Sequence, residues 1–211
     1  MRSPLIIGHR GFAARFPDNS LAGVRAALEA GADGVEVDIR RCADGTWVCH
    51  HGRTRDGRVV GEWSLAALRR QGVAALAEVA EAVPAGRFLY VEVKPLPERD
   101  LAEGLADLAG LLGPRGSATR VISSSEHVLA AVGGALPGLP RSLVFDEIPE
   151  VLAPGVDLSP FHRLVEALLP TRRPLHPWTV NKPDRMLALA GLRVASITTN
   201  WPSLAVEVLR G

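Results

Sequence analysis

Residues 33–51 constrain this chain more than any other stretch. Val35, Val37 and Ile39 alternate with Glu36, Asp38 and Arg40, a period of two that marks a strand with one aliphatic and one charged face. Asp44-Gly45 is a two-residue hairpin signal, and residues 46–50 can return as the second strand. With Asp44 and Gly45 as the turn, Cys42 pairs with Trp47 and Arg40 with Cys49. Asp38 then lies opposite His51, and Glu36 sits on the same face two residues further down. Two carboxylates and an imidazole converge on one patch. Burying two carboxylates together is costly unless a cation or hydrogen bonds compensate. A divalent ion with oxygen ligands is the simplest compensation.

The rest of the chain alternates short apolar runs with amphipathic segments. Strands are expected at 4–8, 35–39, 87–94, 120–123, 141–145, 156–159, 175–180 and 194–198, with helices between them. Asp18, Asn19 or Ser20 caps the first helix. Residues 147–152 are helical at best, and 161–169 are read as a helix. With the return arm of the hairpin set aside, eight strands alternate with helices. That rhythm implies parallel strands joined by helices, and eight suffice to close a (β/α)8 TIM barrel with a hairpin projecting from its second strand. A doubly wound open sheet is the alternative, but no GxGxxG follows the first strand. Residues 1–211 show no linker, repeat or low-complexity tract and read as one barrel domain.

Composition excludes several function classes. A net charge of +1 gives no support for a general nucleic-acid-binding or membrane-surface protein. The two cysteines, Cys42 and Cys49, read as free thiols in a reducing compartment. The opening MRSPLIIGHR holds too short an apolar run for a signal peptide, and no run approaches the ~18 apolar residues of a membrane span. A cytoplasmic protein is the expectation.

In a parallel barrel, function gathers at the C-terminal ends of the strands. Here those ends carry His9-Arg10, Glu36-x-Asp38, Glu92-x-Lys94, Ser123–Ser125, Trp178-Thr179-Val180-Asn181 and Thr198-Thr199-Asn200, and the hairpin returns His51 to the same rim. Glu36, Asp38 and Glu92 supply hard oxygen ligands for one divalent cation, Mg2+ or Ca2+. Arg10 and Lys94 are cations suited to an anionic, oxygen-rich group such as phosphate. His9 and His51 can exchange protons near neutral pH. Trp178 is placed to line a substrate pocket. His50 is expected to face away, and His127, His162 and His176 are read as structural or exposed. Metal, phosphate clamp and two histidines suggest phosphodiester cleavage.

These residues resemble the glycerophosphodiester phosphodiesterase family. The likeness lies in GHRGFAARFPDNSLAGVRAALEAGADGVEVDIRRCADGTWVCHH, in YVEVK, and in WTVNKPDRMLALAGLRVASITTNWPSLA. Family members show HRG, P-E-N-T, G-A-D-x-x-E-x-D-V, a D-G hairpin ending in H-D, E-I-K, W-T-V-N and T-D-x-P. The resemblance implies a (β/α)8 barrel, a divalent cation, and hydrolysis of small-molecule glycerophosphodiesters to an alcohol and glycerol 3-phosphate. It puts His9 and His51 on the acid–base histidines, Arg10 on the phosphate-binding arginine, Glu36, Asp38 and Glu92 on the metal ligands, and Lys94 on the lysine beside them. Two family aspartates are replaced, by Gly52 and Asn200. Those losses keep alive a non-catalytic binder of phosphate esters. A lysophospholipid or phosphoinositide phosphodiesterase on the same barrel is the other alternative. Only 40 residues separate His51 from Glu92, so any insertion after the hairpin is minimal.

Overall fold

The computed structural model describes residues 3–211; Met1 and Arg2, which begin the stretch read as too short for a signal peptide, lie outside the described residues. β1 (Leu5–Gly8) leads through a loop to α1 (Leu21–Glu29) and β2 (Gly34–Arg41). β3 (Trp47–Cys49) folds back on β2 and is followed by a small ribbon, β4 (Thr54–Arg55) and β5 (Arg58–Val59). Two short helices, α2 (Leu65–Arg70) and α3 (Leu76–Ala82), precede β6 (Phe88–Val93). There follow α4 (Glu98–Leu112), β7 (Thr119–Ser123), α5 (Glu126–Ala135), β8 (Arg141–Phe145) and β9 (Asp157–Pro160). The chain ends with α6 (Val165–Leu168), α7 (Pro183–Gly191), β10 (Ser196–Thr199) and α8 (Pro202–Arg210).

Seven parallel strands form one curled sheet in the order β10-β1-β2-β6-β7-β8-β9, with β3 antiparallel on β2. The expected strand at 175–180 is irregular, because Pro174 and Pro177 cannot donate to a ladder. That segment still runs between β9 and β10. The His176 N–H donates to the Leu158 carbonyl at 2.8 Å on one side, and the Ala195 N–H donates to the Leu175 carbonyl at 2.8 Å on the other. The fold is therefore the expected TIM-barrel-like α/β architecture, its seventh position held by scattered bonds rather than a ladder. Residues 147–152 form bends rather than a helix, and 161–169 break into a short 3-10 turn and α6.

The alternation in β2 sorts its side chains between two environments. Val35, Val37 and Ile39 pack with Val24, Leu89 and Val91 beneath the helices; fully burying one such aliphatic side chain stabilises by about 1.5–3 kcal/mol. Glu36 and Asp38 turn into the barrel. Parallel pairing with β6 sets Glu36 beside Tyr90 and Asp38 beside Glu92. α1 starts at Ser20, whose hydroxyl accepts the Gly23 N–H. This leaves Asn19 free for another task.

The hairpin differs from the expected one by a residue. Ile39 pairs with Cys49, Arg40 with Val48 and Arg41 with Trp47. Cys42 donates its N–H to the Thr46 carbonyl, and Gly45 donates its N–H to the Cys42 carbonyl. The loop is thus Ala43-Asp44-Gly45, with Gly45 at φ 75°. This is the three-residue hairpin that ends in a left-handed glycine, rather than the two-residue turn. Asp38 consequently stands opposite His50, not His51. Both cysteines are free thiols, as read from the sequence. Among the described residues no helix is long and apolar enough to cross a membrane.

Candidate active site

Every strand-end residue singled out above, from His9 to Trp178, lies at the same end of the barrel. One pocket of about 90 Å³ is lined by His9, Arg10, Glu36, His51, Glu92 and Lys94, with Trp178 among its further walls. Asp38 is buried between them at 1 % exposure.

The loop after β1 turns on the glycine of HRG. Gly11 has φ +83°, and a Cβ there would lie 2.6 Å from the backbone of Gly23, so only glycine lets this turn seat on α1. Arg10 itself is left-handed, at φ 50°, a sparsely populated region for a long side chain. That conformation aims both its ends inward. Its backbone N–H donates to Glu36 Oε2 at 3.0 Å, its Nε lies 3.1 Å from Asp38 Oδ2, and its Nη1 donates to Asp18 at 2.6 Å.

Asp38 is held from three sides. Lys94 Nζ lies 2.7 Å from Oδ1 and also 2.6 Å from Glu92 Oε1. Asn19 donates from Nδ2 to Asp38 Oδ2 at 3.0 Å and accepts the Asp38 backbone N–H at 2.9 Å. Against burial, which would raise it, Lys94, the Asn19 hydrogen bond and Arg10 hold the Asp38 carboxyl below the usual range. Glu36 is the opposite case. Burial first, then the charges of Asp38 and Glu92, push it well up. Glu92 is also raised, by burial and Asp38 against the pull of Lys94. Lys94 is raised despite its burial, because Glu92 and Asp38 surround it.

Oxygens of Glu36, Asp38 and Glu92 lie within 4.8 Å of one another. Glu36 Oε1 is buried with no hydrogen-bond partner. The carboxylates of Glu36, Asp38 and Glu92 stand together with the cations of Arg10 and Lys94. The donor set is all hard oxygen and fits a divalent cation.

His9 is half-buried, and its Nδ1 lies 2.6 Å from Asn200 Oδ1. An amide oxygen only accepts, so Nδ1 carries the hydrogen. Nε2 then faces the pocket, 4.0 Å from Glu36 Oε2. Burial, then the Arg10 charge, lowers the His9 pKa. Asn200 is itself anchored through its N–H on Asn181 Oδ1 at 2.9 Å.

His51 reaches the pocket by a route that the expected register did not describe. The ladder ends at the His50 N–H, which donates to the Asp38 carbonyl, and the chain then bends. The bend swings His51 over the mouth and turns His50 away to the Thr54 carbonyl, at 3.2 Å from Nε2. Arg40 donates two hydrogen bonds, of 3.1 and 2.9 Å, to the His51 carbonyl. The His51 pKa is lowered by partial burial, with Lys94, Arg10 and Arg40 opposing Asp38.

The sequence reading missed a polar storey beneath this site. His176, expected to be structural or exposed, lines the pocket floor at 4 % exposure. Its Nδ1 lies 2.8 Å from Ser196 Oγ, its Nε2 3.4 Å from Asp157, and the Tyr90 hydroxyl is 3.4 Å away. Arg120 donates to Asp157 at 2.6 Å and to Ser142 Oγ at 2.8 Å. A signal for these residues was present. Each stands two positions before a pocket-lining residue of its own segment: Tyr90 before Glu92, Arg120 before Ile122, His176 before Trp178. Asn19 was likewise missed as a support for Asp38. Trp178 does line the pocket, its indole N–H donating to the Ser159 carbonyl at 2.8 Å. His127 is exposed on α5, and His162 lies outside the pocket.

Fold and site together define an α/β-barrel protein with an acidic, cation-flanked pocket at the C-terminal ends of its strands. Residues 9–113 match the sequence model of the glycerophosphoryl diester phosphodiesterase family. The chain belongs to that family. It is 27% identical to the glycerophosphodiester phosphodiesterase of Caldanaerobacter subterraneus subsp. tengcongensis, over 98% of either chain. It is 45% identical over 58 residues to the "Probable glycerophosphodiester phosphodiesterase 1" of Mycobacterium tuberculosis, a match spanning 28% of this chain and 21% of that protein. Among solved structures it resembles a phosphodiesterase of Oleispira antarctica in complex with the product sn-glycerol-3-phosphate. That likeness has a TM-score of 0.84 at 20% identity and covers 99% of this chain and 98% of the other. The glycerophosphodiester phosphodiesterase of Thermotoga maritima gives a TM-score of 0.79 at 19% identity, covering 99% of each chain.

Proposed function

We propose that this protein hydrolyses glycerophosphodiesters to an alcohol and glycerol 3-phosphate, with one divalent cation, Mg2+ or Ca2+, as cofactor. The observation that carries this reading is the convergence of two imidazoles, two cations and three carboxylates on one small pocket. The product held by the Oleispira antarctica relative supports the same substrate class.

Glu36, Asp38 and Glu92 hold the cation, which when bound supplies positive charge to the phosphoryl oxygens and acidifies a nearby hydroxyl. Arg10 and Lys94 keep N–H groups not used on Asp38, Asp18 or Glu92, and these bind the phosphoryl oxygens as charge builds on them. His9 Nε2, free of hydrogen in the tautomer that Asn200 sets, takes the proton of the attacking hydroxyl. His51 stands at the open side and protonates the departing alcohol. The enclosed pocket suits the glycerophosphate half, so the alcohol projects past His51. Trp178 forms an apolar wall for the glycerol carbons.

The non-catalytic reading rested on the aspartates missing at 52 and 200. Asn200 does the positioning work at His9 with an amide oxygen, and Arg40 fixes the backbone of His51. Both observations favour an enzyme. Release of glycerol 3-phosphate from a panel of glycerophosphodiesters, with and without a chelator, tests the proposal. Turnover lost on chelation and restored by Mg2+ or Ca2+ is expected. Inactivity on the whole panel with metal bound would overturn it.

A further inference from the structure

The inward-facing side chains of β2 continue past the metal-binding pair. Glu36, Asp38 and Arg40 occupy every second position, so Arg40 stands about 7 Å nearer the mouth than Asp38. Its Nε and Nη2 donate to the His51 carbonyl, and its Nη1 remains uncommitted. Arg53 follows His51 by two residues and is exposed; its guanidinium makes no ion pair or hydrogen bond among the described residues. The two arginines line a groove walled by Val60, Pro95 and Leu96. Pocket and groove are neighbours along the chain, Lys94 lining the one and Pro95 the other. Two further charges border it. Arg41 is tied to the carbonyls of Gly45 and Asp100 and pairs with Glu103 at 3.4 Å, and Asp100 adds one carboxylate at the start of α4. Arg40 feels the carboxylates of Asp38 and Glu92 behind it, but the groove's own lining sets three arginines against the single carboxylate of Asp100.

We infer that this groove selects leaving alcohols that carry a second anionic group, a phosphate or carboxylate, and disfavours cationic ones such as choline. The inference rests on the proposed hydrolysis and on His51 standing at the leaving-alcohol side. A guanidinium fork matches phosphate or carboxylate geometry. A quaternary ammonium would need aromatic faces, and no aromatic side chain lines the groove.

The test compares kcat/KM for three diesters that share the glycerol 3-phosphate half and differ in the leaving group: choline, glycerol, or glycerol phosphate. At low ionic strength the anionic diester should exceed the neutral one by about tenfold and the choline diester should fall lowest, the spread shrinking in salt. Arg53→Glu should cut the anionic-to-neutral ratio by about tenfold or more, while Arg53→Lys keeps it within about threefold. Equal kcat/KM for all three in the parent, or a ratio unmoved by Arg53→Glu, overturns the inference and leaves the hydrolase reading standing. Should the parent turn over none of the three, the hydrolase reading fails, and calorimetric binding of the anionic and neutral diesters to parent and Arg53→Glu decides the groove: equal affinities refute it.

Discussion

Asn19 offers a direct measure of how the acidic cluster is held together. It is 3 % exposed and makes two hydrogen bonds to Asp38. Asn19→Ala would leave the Asp38 N–H buried without an acceptor, costing about 1–3 kcal/mol, and would remove a charge-assisted bond worth about 1.5–3 kcal/mol. Asn19 also sits at φ 60°, where alanine lacks the local stabilisation an asparagine can find, at about 1 kcal/mol. The losses share one neighbourhood and do not add fully, so about 3–5 kcal/mol is expected. For a chain of 211 residues each kcal/mol moves Tm by roughly 2–4 °C, so Tm should drop by about 6–20 °C. Urea unfolding followed by circular dichroism reads the free energy directly. Asn19→Gly, free of the φ penalty, should recover about 1 kcal/mol of the loss. Asn19→Asp keeps the acceptor but sets a carboxylate against Asp38, and its defect should shrink as pH falls through the carboxylate range. A loss below about 1 kcal/mol for Asn19→Ala would refute the account.

Glu36→Gln, Asp38→Asn and Glu92→Gln should each weaken divalent-cation binding by calorimetry; unchanged affinity in all three sinks the metal assignment. In the metal-free protein, burial holds the Glu36 pKa above its ordinary value of 4.5. The folded state therefore binds the extra proton, and the parent should lose stability as pH rises above that value, a slope that Glu36→Gln should reduce, with the raised Glu92 leaving a remainder. His9→Ala and His51→Ala should each cut turnover by ~10²–10⁴-fold with little change in metal affinity, while His50→Ala, bonded only to a loop carbonyl, should stay near the parent. Asn200→Asp places a carboxylate on the His9 Nδ1–H and raises that imidazole's pKa, so the acid limb of the pH–rate profile should move to higher pH; a limb that stays put would mean that His9 is not the base.

Much of the site was legible because strand-end chemistry leaves a local trace. The period of two in Glu36-x-Asp38 and Glu92-x-Lys94 assigns a face without reference to any neighbour. The polar storey at Tyr90, Arg120 and His176 escaped because single inward residues on different strands carry no shared local pattern. They become a layer only when the barrel brings them together. The hairpin register failed for a different reason. Asp-Gly serves two- and three-residue loops alike, and the choice here is made by Gly45 adopting a left-handed conformation with the Cys42–Thr46 pair closing the loop. His51 reached its expected place through a bend after β3, not through pairing.

By itself, then, the chain's order of residues determined the barrel class, the inward face of each strand and the residue types at the rim, since these follow from periodicity and turn chemistry within a few residues. Tertiary structure alone decided what each side chain touches. Asn19 grips Asp38 across 19 positions, Asn200 reaches His9 across 191, and the bend over the mouth puts His51 beside Lys94. Such contacts depend on loop paths and on burial. Both are set by how the whole sheet curls, and no local pattern encodes them.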